Sequence, residues 1–277
     1  MVEPRSRRWA WAAAALAVSI LFVLPLVFLV SGSLRTPGLP PPRSPQLVPE
    51  TLAWSNYERA AELVGLGGAA LNSLLVAAIF VPLSVLVASW AGLALVFVGA
   101  RVRTVLLVLS LGALMVPLTA LLVPRFAIFQ WLGLVDSYAP LVAPALLGAS
   151  PFYVLLYYVA FRRLPTELYD ACRLEGMAPL TIWRRITMPL VRPVTVAVGV
   201  LAFVFSWGNF LDPLIYLYDR DLFTLPLALK SLAQLDPTNY PLLLAGAVIA
   251  TAPVVLGFLL AQRYLFEPHR GAGWLGR

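Results

Sequence analysis

The feature of the sequence that most constrains the fold is a set of six long stretches that contain no Asp, Glu, Lys or Arg. They are 19 to 38 residues long and cover residues 9–34, 63–100, 104–124, 137–161, 193–211 and 237–262. About 18 apolar residues are enough for a helix to cross the hydrocarbon core of a bilayer. A charged side chain at the centre of such a helix costs roughly 3 kcal/mol, so charges mark the segments that leave the membrane. We therefore predict an all-α polytopic membrane protein with six transmembrane helices.

Composition agrees with this prediction, because 61% of the 277 residues are apolar and only 12% are charged. That charged fraction is about half of what an ordinary soluble domain carries. The 20 basic residues exceed the 13 acidic ones, but they lie between the predicted spans rather than on one arm or face. We therefore expect membrane lipid, and not nucleic acid, to be the partner of this basic chain.

The charge-free stretches define the predicted boundaries along the chain. The predicted spans are residues 9–34, 71–98, 104–124, 137–161, 194–212 and 239–262, and together they form one domain. The other segments are the N-terminus at 1–8, a proline-rich connector at 35–70, a loop at 162–193, a loop at 213–238 and a tail at 263–277.

The distribution of positive charge predicts which side of the membrane each segment faces. If alternate loops lie on opposite sides, the side that holds both termini and the loop 162–193 carries 14 of the 20 basic residues. By the positive-inside rule this side is cytoplasmic, so the connector 35–70 and the loop 213–238 are extracytoplasmic. Arg5, Arg7 and Arg8 before an apolar run would also suit a cleavable signal peptide, but that run is longer than the 7 to 15 residues of a signal core.

Several kinds of chemistry are not expected of this sequence. Its single lysine, Lys230, lacks the preceding glycines of a phosphate-binding loop. One histidine and one cysteine cannot form a cysteine-rich metal site. The six stretches also lack the intramembrane charges that ion-coupled carriers use. We expect no catalytic residue, cofactor or metal in this chain, and we expect the energy for any transport to come from another subunit.

The cytoplasmic loop 162–193 predicts a helix, a glycine and a second helix. Thr166 is a candidate N-cap, and Gly176 lies where a left-handed residue would end the first helix. Pro179 can begin the second helix and Pro189 can stop it. Leu168, Ala171, Cys172 and Leu174 would give the first helix a small apolar surface. The alternative is a solvated amphipathic loop with no partner.

At these residues the sequence resembles the permease subunits of ATP-binding-cassette importers. Their loop carries Glu-Ala-Ala, three residues, Gly, nine residues, then an aliphatic residue, any residue and Leu-Pro. Here Asp170–Cys172 replaces Glu-Ala-Ala, and Gly176, Ile186 and Pro189 follow at the expected spacing. The resemblance implies a type I importer permease in a bacterial or archaeal inner membrane, with ATP and Mg²⁺ bound by a separate ATPase pair. It implies that the ATPase-coupling residues are Glu167, Asp170, Ala171, Cys172, Glu175, Gly176, Met177 and Pro189.

Shorter motifs resemble the carbohydrate branch of these importers, in particular the second permease of maltose-type transporters. They are Asn56-Tyr57, the residues 71–74, 132–138 and 224–227, and Gln262-Arg263-Tyr264. This resemblance implies a second permease subunit, an extracytoplasmic solute-binding protein, and a sugar or polyol substrate. It does not indicate which sugar is carried, or whether the solute is a glycerol phosphate.

The fifth predicted span ends in a polar sequence that resembles a family motif, with Gly208 where the family usually has Asn. Aromatic faces and amide groups suit sugar rings and hydroxyls, so we predict Trp207, Asn209 and Asp212 as residues of the substrate pathway. Helix packing or interfacial anchoring is the alternative for these three side chains. For the whole chain, the alternatives are a stand-alone secondary carrier or channel and a structural subunit without a pathway.

Overall fold

A computed structural model describes residues 5–42, 47–146 and 151–265. Within these ranges all regular elements are helical, which confirms the predicted all-α class. The α-helices are α1 (Arg5–Ser33), α2 (Ser55–Leu63), α3 (Leu66–Phe97), α4 (Ala100–Leu114), α5 (Leu122–Trp131), α6 (Ala139–Leu146), α7 (Pro151–Arg162), α8 (Thr166–Leu174), α9 (Pro179–Thr181), α10 (Met188–Leu190), α11 (Arg192–Trp207), α12 (Leu211–Tyr216), α13 (Leu225–Leu235) and α14 (Tyr240–Leu265). The 3₁₀ turns are Leu118–Leu121 and Arg220–Leu222, and a π-helical segment covers Ile182–Thr187.

Helices long and apolar enough to cross a membrane agree with the predicted spans in order along the chain. In the described residues five pass this criterion: Trp11–Ser33, Leu66–Phe97, Ala139–Arg162, Arg192–Tyr216 and Tyr240–Tyr264. A sixth span results if Ala100–Leu114 and Leu118–Trp131, which are bent by 89° to each other, are counted together. Of the predicted segments, residues 1–4, 43–46, 147–150 and 266–277 lie outside the described ranges.

The third and fifth spans are broken where the sequence predicts continuous helices. Helix α4 ends at Leu114, and Pro117 takes an extended conformation with ψ 131° before the chain turns. Proline cannot donate the backbone hydrogen bond that a continuing helix needs. Helix α11 ends at Trp207 with Gly208 as its C-cap, and α12 starts at Leu211.

The chain divides into two compact units, of which the first contains residues 1–68 and 227–253. In this unit the Asn56 amide donates to the carbonyl oxygens of Ser33 and Arg35, both at 2.8 Å. The hydroxyl groups of Ser33 and Tyr57 are 2.6 Å apart. At the other side of the connector, the Gly38 N–H donates to Asn239 Oδ1 at 3.0 Å. Hydrogen bonds therefore help to hold the described part of the predicted connector to the helices.

The second unit contains residues 69–226 and 254–277, and its core is aromatic. Phe80, Tyr157 and Phe161 are at most 1% exposed, and the rings of Tyr157 and Phe161 stack with centroids 5.6 Å apart. Helix α3 approaches this cluster closely at Gly92, where an added Cβ would lie 2.6 Å from the Tyr157 Cβ and 3.0 Å from the Tyr158 backbone nitrogen. Close packing at a small residue is typical of helices in membranes.

Candidate functional site

Helix α8 begins the loop 162–193 and ends in a well-formed C-cap. Gly176 has φ +66°, its N–H donates to the Arg173 carbonyl at 2.9 Å, and the Met177 N–H donates to the Cys172 carbonyl at 3.0 Å. These two bonds form the Schellman motif, in which a left-handed glycine closes a helix. The prediction for Gly176 is confirmed. Thr166 is instead the first helical residue, with Pro165 at the cap position and no capping hydrogen bond from a side chain.

Helix α8 has an inner and an outer face. On the inner face, Tyr169 and Cys172 are 4% and 6% exposed and belong to the aromatic core, and Leu168 packs against it. The predicted apolar surface is therefore divided, because Ala171 and Leu174 point the other way. Eight residues of α8 and its cap are exposed, among them Thr166 and Arg173. We call the other six the docking face: Glu167, Asp170, Ala171, Leu174, Glu175 and Gly176.

Of the remaining predicted coupling residues, Met177 is half-buried against the core and Pro189 is exposed. Pro189 does not stop the second helix as predicted, since α10 runs to Leu190. Proline is tolerated near the beginning of a helix, where its missing N–H is not needed, and α10 begins at Met188, after the π-helical segment ends. Cys172 lies on the inner face, so it anchors α8 rather than presenting a surface.

The inner face of α8 is fixed to α7 and to the C-terminal end of α3. The Tyr169 hydroxyl donates to the Phe161 carbonyl at 3.0 Å, and its ring meets Phe97 edge-on with centroids 5.3 Å apart. The Arg173 guanidinium lies 5.0 Å from the centre of the same Phe97 ring. Burial raises the pKa of the Tyr169 phenol to about 12, and the neighbouring Cys172 adds to this rise. The phenol therefore stays neutral and keeps its hydrogen bond throughout the physiological pH range.

The second half of the loop is attached to α3 as well. The Trp183 indole Nε1 donates to Ser89 Oγ at 3.1 Å, and the rings of Trp183 and Trp90 meet edge-on with centroids 5.7 Å apart. Arg103 closes the end of α3 by donating to the carbonyl oxygens of Leu95, Val96 and Val98 at 2.8 to 3.1 Å. A movement of the loop would thus be passed to the C-terminal half of α3.

A cavity of about 410 Å³ lies where the third and fifth spans are broken. That volume is within the range of about 300 to 1,000 Å³ that small-molecule sites occupy. Its lining is formed by Leu118, Thr119, Leu122, Arg125, Pro144, Val204, Phe205, Gly208, Asn209, Phe210, Leu211 and Asp212.

A polar cluster of Arg125, Asn209 and Asp212 forms one wall of this cavity. Asn209 Nδ2 donates to Asp212 Oδ2 at 2.9 Å, and the Asp212 N–H donates back to Asn209 Oδ1 at 3.3 Å. Arg125 Nη1 lies 3.2 Å from Asp212 Oδ1. Asn209 directly precedes Phe210, the N-cap residue of α12, and both hydrogen bonds link it to Asp212 in the first turn of that helix. They hold the Asp212 carboxylate beside Arg125.

The far end of α12 is held by Asp136, which lies in the loop after α5. Asp136 has φ +60°, and its N–H donates to the Tyr216 carbonyl at 2.8 Å. Its Oδ1 accepts the N–H groups of Tyr218 and Asp219 at 2.9 and 3.0 Å. These hydrogen bonds, first that from Asp219, lower the pKa of the Asp136 carboxyl. Both ends of α12 are thus tied to the residues around α5.

The structure brings together only part of the predicted pathway. Asn209 and Asp212 line the cavity, but Trp207 is 5% exposed and stacks on Phe203 with ring centroids 5.5 Å apart, so it is a packing residue. Arg125 and Thr119 line the cavity and were not predicted. A signal for Arg125 was present, because it directly follows the charge-free stretch 104–124 and is the one basic residue between that stretch and the next.

The described residues contain no group of three or more His, Cys, Asp or Glu side chains that could hold a metal ion.

Comparison with known proteins agrees with this geometry. Residues 80–267 match the family described as the inner membrane component of binding-protein-dependent transport systems. The arabinooligosaccharides transport system permease protein AraQ of Bacillus subtilis is 32% identical over 257 residues, which is 90% of this chain and 89% of AraQ. AraQ of Halalkalibacterium halodurans is 36% identical over 193 residues, 70% of this chain and 68% of the relative.

The fold is also similar to that of a solved structure. A chain from the crystal structure of a bacterial ABC transporter involved in the import of the acidic polysaccharide alginate superposes with a TM-score of 0.74. It is 20% identical, and the match covers 95% of this chain and 99% of that one. The resemblance to importer permeases predicted from the loop 162–193 is confirmed, and the chain belongs to the family of binding-protein-dependent inner-membrane transport components, which are permeases rather than enzymes.

Proposed function

We propose that this chain is one of two different permease subunits in an ATP-driven importer, and that the two subunits form the pathway for a sugar or related polyhydroxy solute. A solute-binding protein delivers the solute from outside, and a separate ATPase pair, which holds the ATP and Mg²⁺, drives the transport. The docking face of α8 carries this proposal, because its inner side is fixed in the core while its outer side is exposed. The names of the relatives support a saccharide as the solute.

The docking face has the composition of a surface that another protein covers. Leu174 is 90% exposed beside the charged side chains of Asp170 and Glu175. An exposed leucine at the tip of a rigid element, with charges around it, is suited to a cleft with an apolar floor and a polar rim. Because Gly176 ends the helix sharply, the face stands free for a partner.

Helix α4 and the adjacent 3₁₀ turn supply a surface for the second permease or for lipid. None of their residues is buried within this chain. Val108, Leu109 and Met115 are 61%, 62% and 85% exposed. The 3₁₀ turn also supplies Leu118 and Thr119 to the cavity lining, so a second permease on this surface would lie next to the cavity.

The positive charge on the loops supports an orientation with the docking face and both termini in the cytoplasm. In a bacterial or archaeal inner membrane this places α8 where ATP is available. An ion-coupled carrier or a channel would not require such a placement.

Cross-linking tests the docking face. Leu174→Cys in a Cys172→Ala background should form a cross-link to the co-expressed ATPase when a short bifunctional thiol reagent is added. Arg101→Cys in the same background is the control, since position 101 is exposed on the same predicted side but outside α8. The native Cys172 should remain unlinked because it is buried. Equal cross-linking from positions 101 and 174 would contradict a specific docking face.

Reconstitution tests the energy source. The complete transporter in proteoliposomes should take up an arabinooligosaccharide only with ATP and the binding protein, and this chain alone should take up none. Uptake by the chain alone would favour the stand-alone carrier or channel. A complex that assembles with the ATPase but transports nothing would favour a structural subunit.

A further inference from the structure

The cavity at the broken spans has charged groups of both signs, and they neutralise each other. Of its twelve lining residues, Arg125 and Asp212 are the charged ones. The side chains of Arg125 and Asp212 are 22% and 10% exposed. At this burial, water and salt screen a charge much less than on an open surface. The net charge of the pair therefore determines which solutes the cavity accepts.

Each oxygen of the Asp212 carboxylate already has a partner within the chain. Its Oδ1 lies 3.2 Å from Arg125, and its Oδ2 accepts from Asn209 at 2.9 Å. On the other side of the pair, Arg125 Nη2 also donates to the Pro140 carbonyl at 3.4 Å, and the guanidinium lies 5.9 Å from the centre of the Tyr216 ring. The pair is thus held from both sides by the fold.

Without Asp212, Arg125 would be a receptor for carboxylates. A guanidinium binds carboxylate groups through two parallel hydrogen bonds, so a lone arginine in a partly buried cavity favours an acidic saccharide. In the folded chain Asp212 occupies that position. The other lining residues with polar or aromatic side chains are Thr119, Asn209, Phe205 and Phe210, and hydroxyl, amide and aromatic groups suit the hydroxyls and faces of an uncharged sugar.

We propose that the ion pair of Arg125 with Asp212 makes the pathway selective for uncharged saccharides over acidic saccharides of the same size. This inference rests on the proposed function, since it names the charge class of the solute that the permease carries. Asp212 is then the specificity-determining residue, and Asn209 is a positioning residue that holds its carboxylate.

Binding of two matched probes tests this assignment. The assembled transporter, with both permeases and the ATPase pair, is placed in nanodiscs, and arabinotriose and trigalacturonate are measured by equilibrium dialysis. The wild type should bind the neutral probe more tightly than the acidic one. Asp212→Asn leaves Arg125 uncompensated and should raise the affinity for trigalacturonate relative to that for arabinotriose about tenfold.

Two further variants separate local charge from other effects. The double variant Arg125→Gln/Asp212→Asn removes both charges and should restore the wild-type preference for arabinotriose. It also keeps the inference testable if Asp212→Asn alone assembles poorly. Asp221→Asn is the matched control, because Asp221 is an exposed carboxylate outside the cavity lining, and it should change neither affinity.

An unchanged affinity ratio in Asp212→Asn, or the same shift in Asp221→Asn, would overturn the inference. So would equal binding of both probes by a wild-type transporter that imports arabinotriose with ATP. These results leave the proposed function standing. Absence of ATP-dependent saccharide import by the wild type would overturn the proposed function, and the inference with it.

Discussion

Helix α8 and the cavity at the broken spans lie in the same structural unit, but different forces hold them in place. The inner face of α8 is fixed by apolar and aromatic packing, with Tyr169 and Cys172 in the core and Phe97 against the helix. The cavity wall is fixed by charge and hydrogen bonds, with Asp212 between Asn209 and Arg125. Packing tolerates small changes of shape, whereas removal of one charge from a partly buried ion pair leaves the other charge uncompensated.

This difference in the forces that hold the two regions suits the tasks proposed for them, which are coupling for α8 and solute passage for the cavity. A coupling helix must transmit movement as a rigid body, and close packing provides that rigidity. A pathway must release its solute, and polar side chains at helix breaks can exchange a solute for water without repacking the core. The variants below test whether α8 depends on packing and the cavity wall depends on charge. They are given in order of decreasing expected effect.

Arg125→Met should give the largest loss of stability. It leaves the Asp212 carboxylate without its cation at 10% exposure, and breaking a buried pair costs about 3 kcal/mol or more. The double variant Arg125→Met/Asp212→Leu should lose less than the single one, since no uncompensated charge remains. Thermal unfolding of the purified transporter in detergent measures both.

Arg220→Met is the control for this pair of variants, because Arg220 is exposed and lies outside the cavity lining. It should unfold like the wild type. If the single and double variants at Arg125 were equally stable, the cavity wall would be held by packing, and the contrast with α8 would disappear.

Gly176→Ala should weaken coupling while the core stays intact. An added Cβ at Gly176 meets no atom within 4 Å, but φ is +66°, so the cost of about 1 to 2 kcal/mol is conformational. Gly112→Ala adds the same atom in equally open space at a helical position and should have no such cost. ATP-dependent uptake should fall up to about tenfold in Gly176→Ala. It should fall further in Gly176→Pro, which also loses the N–H bond to Arg173.

Membrane level and thermal stability are measured alongside uptake for these glycine variants. Membrane level should remain near wild type for Gly176→Ala, because the inner face of α8 is untouched, and the unfolding temperature should fall only by the few degrees that the conformational cost implies. A loss of uptake in Gly112→Ala of the same size would show that the left-handed cap is not what matters.

The sequence allowed prediction of α8 and its cap because the determining signals are local. Gly176, Pro179 and the spacing of the loop lie within a few residues of the structure they specify, and the six charge-free stretches follow the same logic for the spans. Even so, the apolar residues of α8 could not be assigned to an inner or outer face, because that depends on where Phe97 and Phe161 lie in the folded unit.

The cavity was predicted only in part because its determinants are distant in sequence. Arg125 and Asp212 are separated by six α-helices, and no local pattern at either residue indicates the other. The bend of 89° between Ala100–Leu114 and Leu118–Trp131 brings Arg125 to the cavity, although hydropathy alone predicts a continuous span. Trp207 was misassigned for a related reason, since periodicity does not show that its ring stacks on Phe203 rather than facing the cavity.

Trp183→Phe tests a single polar contact within the packed region. Phenylalanine keeps an aromatic ring near Trp90 but cannot donate to Ser89 Oγ, which lies 3.1 Å from Nε1. A typical hydrogen bond contributes about 0.5 to 1.5 kcal/mol, so the unfolding temperature should fall by only a few degrees. Trp131→Phe is the control, because that ring is 84% exposed. A large loss of coupling in Trp183→Phe would show that this hydrogen bond, and not packing, holds the loop on α3.

Asp136→Asn should give the smallest effect, and one that depends on pH. The hydrogen bonds from Asp219 and Tyr218 lower the pKa of Asp136 in the folded chain, so the ionised carboxylate stabilises the fold at every pH above the unfolded value of about 3.9. That contribution is lost as the pH falls through the lowered folded pKa. The asparagine oxygen can still accept, and asparagine tolerates the φ of +60° at this position, so the variant should melt slightly below wild type at pH 5 to 8, and the gap should narrow in stronger acid. A gap that stayed constant in stronger acid would mean that the carboxylate charge does not hold the end of α12, and that the cavity wall depends on charge only at Arg125 and Asp212.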